Sequence, residues 1–141
     1  MDAFDADVLI YAISRGHPVG RKVDALFRVA DQRERFALAG LGSLLLLPEV
    51  LSRPRRDGSA EEIRALEALL CRLDLHPLDA PTAVLAVELG AAHRLKAPDA
   101  IHLATAVRAG ADRFITNNRR EFPKSITEVD VTYPDDLADP V

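Results

Sequence analysis

The sequence contains one cysteine, one methionine and no tryptophan, and none of its apolar runs is long enough to cross a bilayer. The lone cysteine, Cys71, excludes a disulfide framework within the chain. It stands among Leu69, Leu70 and Leu73 at helical spacing and is expected to be a buried, inert thiol. Zinc chemistry has no footing either, because His17, His76, His93 and His102 are scattered, with no pair at a ligand spacing. The most apolar segment, residues 36–48, is broken by Gly40, Gly42 and Ser43 and falls short of the roughly 20 residues that span a membrane. Asp2 and Asp5 stand where a secretory leader would carry positive charge, so a cytoplasmic location and no membrane contact are expected. The net charge of -4 neither steers the chain toward polyanions nor marks it as disordered. With five Phe, two Tyr and no Trp, no aromatic platform for stacking bases is legible.

What is present is enough apolar material for one core. The 141 residues are 48% hydrophobic and carry no repeat, low-complexity tract or Gly/Ser linker, so a single domain over 1–141 is expected. Helical signals alternate with short apolar runs, the pattern of a parallel sheet covered by helices. Ala3 and Phe4 read as a short strand, and Val8, Leu9, Ala12 and Ile13 as the apolar face of the helix after it. Val23, Leu26, Phe27 and Ala30 mark a second helix, followed by a strand at residues 35–39 and a surface loop at residues 52–58. Ser59 to Glu62 has capping-box spacing ahead of the stripe Ile63, Leu66, Leu69, Leu70 and Leu73. A strand at residues 75–78 precedes a helix opening near Pro81. Pro98 opens another, apolar nearly all round, that ends at Gly110 and should be central and buried. Residues 113–116 read as a strand and residues 129–133 as an edge strand before an acidic tail.

Four features bear on chemistry. Asp5-Ala6-Asp7 lies at a strand-to-helix junction, where aspartate also serves simply as a helix cap. Glu49 follows four leucines and Pro48 among residues that favour burial, where a carboxylate is costly without a metal or a hydrogen-bond donor. Pro48 is expected to separate the leucine run from the Glu49 segment. Asp99 occupies the first turn of the most apolar helix, a favourable place for negative charge in any event. Thr116-Asn117-Asn118 ends a strand, and sheets of this kind hold ligands at the carboxyl ends of their strands. Asn117 and Asn118 also suit a plain turn. Carboxylates gathered from strand ends and helix starts suit a hard cation taking oxygen ligands, Mg²⁺ or Mn²⁺, and phosphodiester hydrolysis is the reaction such a site implies. His102, three residues after Asp99, either supports that pocket or is a core histidine satisfied by its neighbours, and the second is the plainer reading.

At these residues the chain resembles a known family. Asp5-Ala6-Asp7-Val8-Leu9-Ile10-Tyr11-Ala12 resembles the opening of PIN domains, Leu47-Pro48-Glu49-Val50-Leu51 their second acidic motif, and Pro98 to Ala106 their third. Ile115 to Phe122 resembles the closing motif. The likeness runs in order from residue 4 to about residue 122 and fits VapC-type toxins of toxin–antitoxin pairs. It implies a three-layer α/β/α sandwich with a short central parallel sheet. It also implies Asp5, Glu49 and Asp99 as metal-site acids cleaving RNA, a small antitoxin partner that places a basic or bulky side chain in the acidic pocket, and a homodimer.

Two residues depart from the family pattern. Asn118 stands where an acid is common after Thr-Asn, with Glu121 as a substitute, and Asp7 stands where a neutral residue is common. Thr116 is a further supporting residue. Arg119 and Arg120, with Lys124, and the run Arg53-Pro54-Arg55-Arg56 are candidate phosphate contacts or plain solvated loops. Two rival readings remain: a catalytically weak PIN-like module that binds RNA or protein, and a haloacid-dehalogenase-like phosphatase using Asp5 and Asp7. The phosphatase gives Glu49 no role and lacks its late Gly-Asp-x-x-x-Asp motif, which here reads Thr116-Asn117-Asn118.

Overall fold

A computed structural model describes residues 1–33 and 37–140. Its five short strands are β1 (Asp2–Phe4), β2 (Gly40–Ser43), β3 (Leu73–His76), β4 (Arg113–Ile115) and β5 (Asp130–Thr132). They pair in parallel in the order β3-β2-β1-β4-β5. Six helices connect and cover them: α1 (Ala6–Ala12), α2 (Pro18–Arg33), α3 (Leu46–Asp57), α4 (Ala60–Leu70), α5 (Ala80–His93) and α6 (Ala97–Arg108). Among the described residues none is long and apolar enough to cross a membrane.

Strand side chains alternate between the two faces of a sheet, and that alternation splits the core in two. Phe4, Leu73 and Ile115 pack with Leu9 of α1, Phe27 of α2, Val50 of α3 and Leu66 of α4. Their neighbours Ala3 and Phe114, with Leu41 and Val131, pack on the opposite face against Leu89 of α5 and Leu103 of α6. The result is the expected α/β/α sandwich. Each fully buried leucine or phenylalanine contributes roughly 1.5–3 kcal/mol of transfer free energy, so both layers are held mainly by these side chains. Helix α6 is buried along Ala100, His102, Leu103, Ala104, Thr105 and Ala106, and Gly110 follows it at φ +70°.

Several local expectations shift. The strand expected at residues 35–39 falls partly on residues 34–36, which lie outside the described residues; residues 37–39 carry no strand, and β2 begins at Gly40. Gly40 pairs with Asp2, and a Cβ there would stand 2.3 Å from the Asp2 carbonyl oxygen and 2.6 Å from the Phe4 ring. Close approach of backbone, rather than β propensity, therefore decides where the strand lies. Leu73 belongs to β3, which starts two residues earlier than expected, and α4 ends at Leu70. Cys71 follows as the C-cap and is exposed, because it leaves the helix before the apolar stripe would have buried it.

The expected break at Pro48 and loop at residues 52–58 are also absent. Both lie in α3, which runs from Leu46 to Asp57 and closes at Gly58 with φ 69°. Pro48 sits in the first turn, where a missing N–H forfeits no helical bond. Pro54 does forgo a backbone bond inside the helix, and its ring is buried. Leu46 thus anchors the same helix that carries Glu49.

The strand register makes a testable statement. Gly40→Ala should destabilise the protein by about 2 kcal/mol, the usual cost of overpacking against backbone that cannot yield. Chemical denaturation measures it, and an unchanged midpoint would show that β1 and β2 can separate without cost.

Candidate active site

Because all five strands are parallel, their carboxyl ends lie on one edge, where Asp5 follows β1 and Thr116 follows β4. Phe4 pairs with Ile115, and the Asp5 N–H donates to the Ile115 carbonyl at 2.9 Å. This register fixes Asp5 beside Thr116 although 111 residues separate them. Asp5 is only 5% exposed. A buried carboxylate needs donors, and it has two: the Ala6 N–H reaches Oδ1 at 2.8 Å, and the Thr116 hydroxyl donates to Oδ2 at 2.8 Å. Thr116, itself fully buried, also accepts the Asn118 N–H at 3.1 Å. Burial nevertheless raises the Asp5 pKa above its ordinary value, against the opposing pull of His102, Thr116 and the Ala6 N–H.

Asp7, in the first turn of α1, accepts the Asn117 N–H on Oδ2 at 3.0 Å. Its Oδ1 is buried with no hydrogen-bond partner. Burial first, then the charge of Asp5, pushes its pKa up to about 7, with a smaller push from Asp99. Asn118 makes the turn: its side-chain oxygen accepts the Glu121 N–H at 3.3 Å, and its carbonyl accepts from Phe122 at 3.0 Å. The plain turn role weighed for Asn118 is therefore present.

Helix α6 brings Asp99, and α3 brings Glu49. The Asp99 pKa is raised by partial burial and then by the charges of Asp5, Glu121 and Glu49. Asp5, Asp7, Glu49, Asp99 and Glu121 thus act on one another as one group of acids, drawn from four stretches of chain. His102 lies among them. Its Nε2 is 2.8 Å from Glu49 Oε1, its side chain is 1% exposed, and its Nδ1 is buried without a partner. Burial works to lower the His102 pKa, but the bond to Glu49 and the charges of Asp5, Glu49 and Asp99 prevail and leave it raised. The satisfied core histidine is thus half right: the residue is core, and the partner that satisfies it is a candidate site acid. The i,i+3 spacing from Asp99 was the only sequence signal for this, and it did not point to Glu49.

The donor set fits a hard divalent cation: several carboxylates, one with an orphaned buried oxygen, whose mutual repulsion a cation would relieve. Among the described residues, no three of these side chains are closed on a common point at ligating distance, and Glu49 is turned to His102.

The basic residues sort differently from their sequence grouping. Arg119 pairs with Asp135 and lies 4.6 Å over the Tyr133 ring, and Lys124 pairs with Asp136 at 2.6 Å on the same ring. The acidic turn Pro134–Asp136 therefore occupies these two cations, while Arg120 is exposed. Arg53 lies in α3 rather than in a loop and is held by Glu62 of α4 at 2.6 Å.

Comparison with known proteins matches this architecture. A chain of a toxin–antitoxin complex from Klebsiella pneumoniae is 26% identical, with a TM-score of 0.69 over 95% of this chain and 98% of that one. A chain of VapBC2 from Rickettsia felis, solved with a DNA fragment from the promoter, shares the fold at 18% identity, with a TM-score of 0.72 over 94% of this chain and 97% of that one. None of the curated proteins matches the chain. The PIN domain model matches residues 3–125, from the first strand through the turn that Asn118 makes, and so this chain belongs to the PIN domain family.

Proposed function

We propose that the chain is a metal-dependent endoribonuclease acting as one domain over 1–141, the toxin of a toxin–antitoxin pair, with Asp5, Glu49 and Asp99 as its metal-site acids. The observation that carries this reading is the buried Asp5 carboxylate at the carboxyl ends of β1 and β4, raised in pKa and within the field of Asp99 and Glu49. A protein gains nothing in stability by gathering uncompensated acids, and such clusters are characteristic of functional sites. PIN domain nucleases generally use divalent metals. Asp5, Asp99 and Glu49 would hold Mg²⁺ or Mn²⁺, with Asp7, Glu121 and Thr116 in support. When bound, the metal supplies an activated water and stabilises the charge that develops on the scissile phosphate.

The chain's own residues set the geometry. Thr116 and the Ala6 N–H lock both Asp5 oxygens in orientation, so this acid loses little entropy on engaging a cation. Asp7, with a pKa near 7, alternates between neutral and charged forms around neutral pH. Arg120, next in sequence to Glu121, is exposed and would meet a phosphate of the RNA, and Arg119 becomes available only on leaving Asp135. Both solved relatives belong to toxin–antitoxin complexes, which supports a small antitoxin as partner here, and the homodimer belongs to the same proposal. Ile10, three residues after Asp7, and Leu47, two before Glu49, are exposed apolar side chains suited to such a protein surface. The phosphatase reading gives Glu49 no role and runs against the PIN domain match over residues 3–125.

Asp5→Asn and Asp99→Asn should each lower RNA cleavage in Mn²⁺ by more than about 100-fold, the loss of several kcal/mol of charge stabilisation. Without metal, Asp99→Asn should be at least as stable as wild type, because one repelling charge is gone. A folded variant that kept full cleavage would remove its residue from the site.

Asn118 leaves the group one charge short of the common family pattern, so Mn²⁺ should serve better than Mg²⁺, which dehydrates reluctantly. An aspartate at position 118 keeps an acceptor for the Glu121 N–H and adds charge. Asn118→Asp should therefore shift the metal dependence of cleavage to lower concentration. Coincident curves would mean that position 118 serves the turn alone.

Asp7 sets a pH dependence. Its native pKa of about 7 lies above its ordinary value of 3.8, so native Asp7 keeps its proton where the unfolded chain has lost it. The contribution is whole below the ordinary value and lost as pH rises through about 7. In EDTA, wild type should lose stability across that window, and Asp7→Asn should lose less, ending more stable by up to about 4 kcal/mol at high pH. Parallel stability curves for the two proteins would place the proton elsewhere.

A further inference from the structure

His102 and Glu49 come from helices 53 positions apart in sequence and meet at 2.8 Å. The imidazole is 1% exposed, and the carboxylate side chain is 32% exposed. The burial is asymmetric: the histidine is fixed by the packing of α6, whereas Glu49 sits in the first turn of α3, where a long side chain has solvent rotamers open to it. A neutral imidazole carries one donor and one acceptor. Nδ1 is buried without a partner, so a proton on Nε2 strands no N–H and aims the one donor at Glu49 Oε1. Oε2 makes no hydrogen bond among the described residues.

We propose that His102 is a positioning residue: its Nε2–H grips Oε1 of Glu49 and holds that carboxylate at the acidic cluster with Oε2 left for the metal. Asp99 and His102, three apart on α6, then give one helix two tasks at one site, an acid directed at the metal and a buried donor that orients a second acid from α3. The inference rests on the reading of Glu49 as a metal-site acid. It differs from a structural clamp between α3 and α6, which would affect folding but not metal affinity.

Calorimetric titration of the purified protein with Mn²⁺ separates these, with thermal unfolding recorded for every variant. His102→Leu, which removes the donor, should weaken Mn²⁺ binding by about tenfold or more, the usual effect of losing an orienting partner. His102→Gln, whose amide N–H keeps a donor at similar reach, should recover affinity to within about threefold of wild type. Added to Glu49→Gln, His102→Leu should change affinity by less than about twofold, because its effect passes through Glu49. Where the leucine variant does not fold, His102→Asn, polar but too short to reach Glu49, takes its place. Wild-type affinity in a folded leucine or asparagine variant overturns the proposal, as does an equal loss in the Glu49→Gln background. If wild type binds Mn²⁺ and Asp5→Asn abolishes binding while His102→Leu does not, only the inference fails. If wild type binds no Mn²⁺, the metal-site reading fails and this inference with it.

Discussion

A carboxylate buried at the carboxyl ends of two adjacent parallel strands is held only if donors are already in place, and at Asp5 the sheet register brings them. Phe4 opposite Ile115 puts Thr116 within reach of Oδ2, and the turn into α1 puts the Ala6 N–H on Oδ1. A slip of one residue between β1 and β4 would exchange the faces of Ala3 and Phe4 and also strand the acid. Core packing and site geometry therefore constrain the same register. The close approach of β2 to β1 at Gly40 has the same consequence on the other side of β1, leaving that strand fixed between two neighbours.

The parts of the fold legible in the sequence are those whose signals are local. Helix α6 is marked by Pro98, a nearly unbroken apolar surface and Gly110, and α5 by Pro81 in its first turn, while the Asp79 cap of α5 is visible only in the structure. The parts that were not legible depend on contacts between segments. Gly40 to Ser43 has little strand propensity and becomes a strand because its backbone must lie against Asp2 and Phe4. Pro48 reads as a break and residues 52–58 as a loop, yet Pro48 lies where a helix needs no N–H, and Pro54 inside the helix is buried. Cys71 read as core because the stripe was extended past the point at which α4 gives way to β3.

The candidate site divides along the same line. Asp5, Asp7 and Asp99 were identifiable because each stands at a helix start marked by its own flanking residues. That Glu49 and Glu121 belong with them is implied in the sequence by the family resemblance alone; the physical reason they meet lies in the sheet order and in the packing of α3 and α6 on opposite faces. His102 is the clearest case. Its neighbours predict burial correctly, but no local pattern names a partner 53 residues away.

Charge distribution poses the last constraint, since a group of acids repels the phosphates of the RNA assigned to it. Two basic side chains that follow the closing motif do not offset this freely: Arg119 and Lys124 are engaged by Asp135 and Asp136 beside the Tyr133 ring. In the proposed nuclease, a divalent cation reverses the sign of the local field and lets Arg120, and then Arg119, act with it rather than against the acids. Where the cation draws the phosphate, linkage makes the effect reciprocal, so RNA would favour the binding of metal by the same factor. The raised pKa values of Asp5, Asp7 and Asp99 come first from burial and then from the charges of neighbouring acids, and a bound cation would relieve both by supplying the opposite charge where water is excluded.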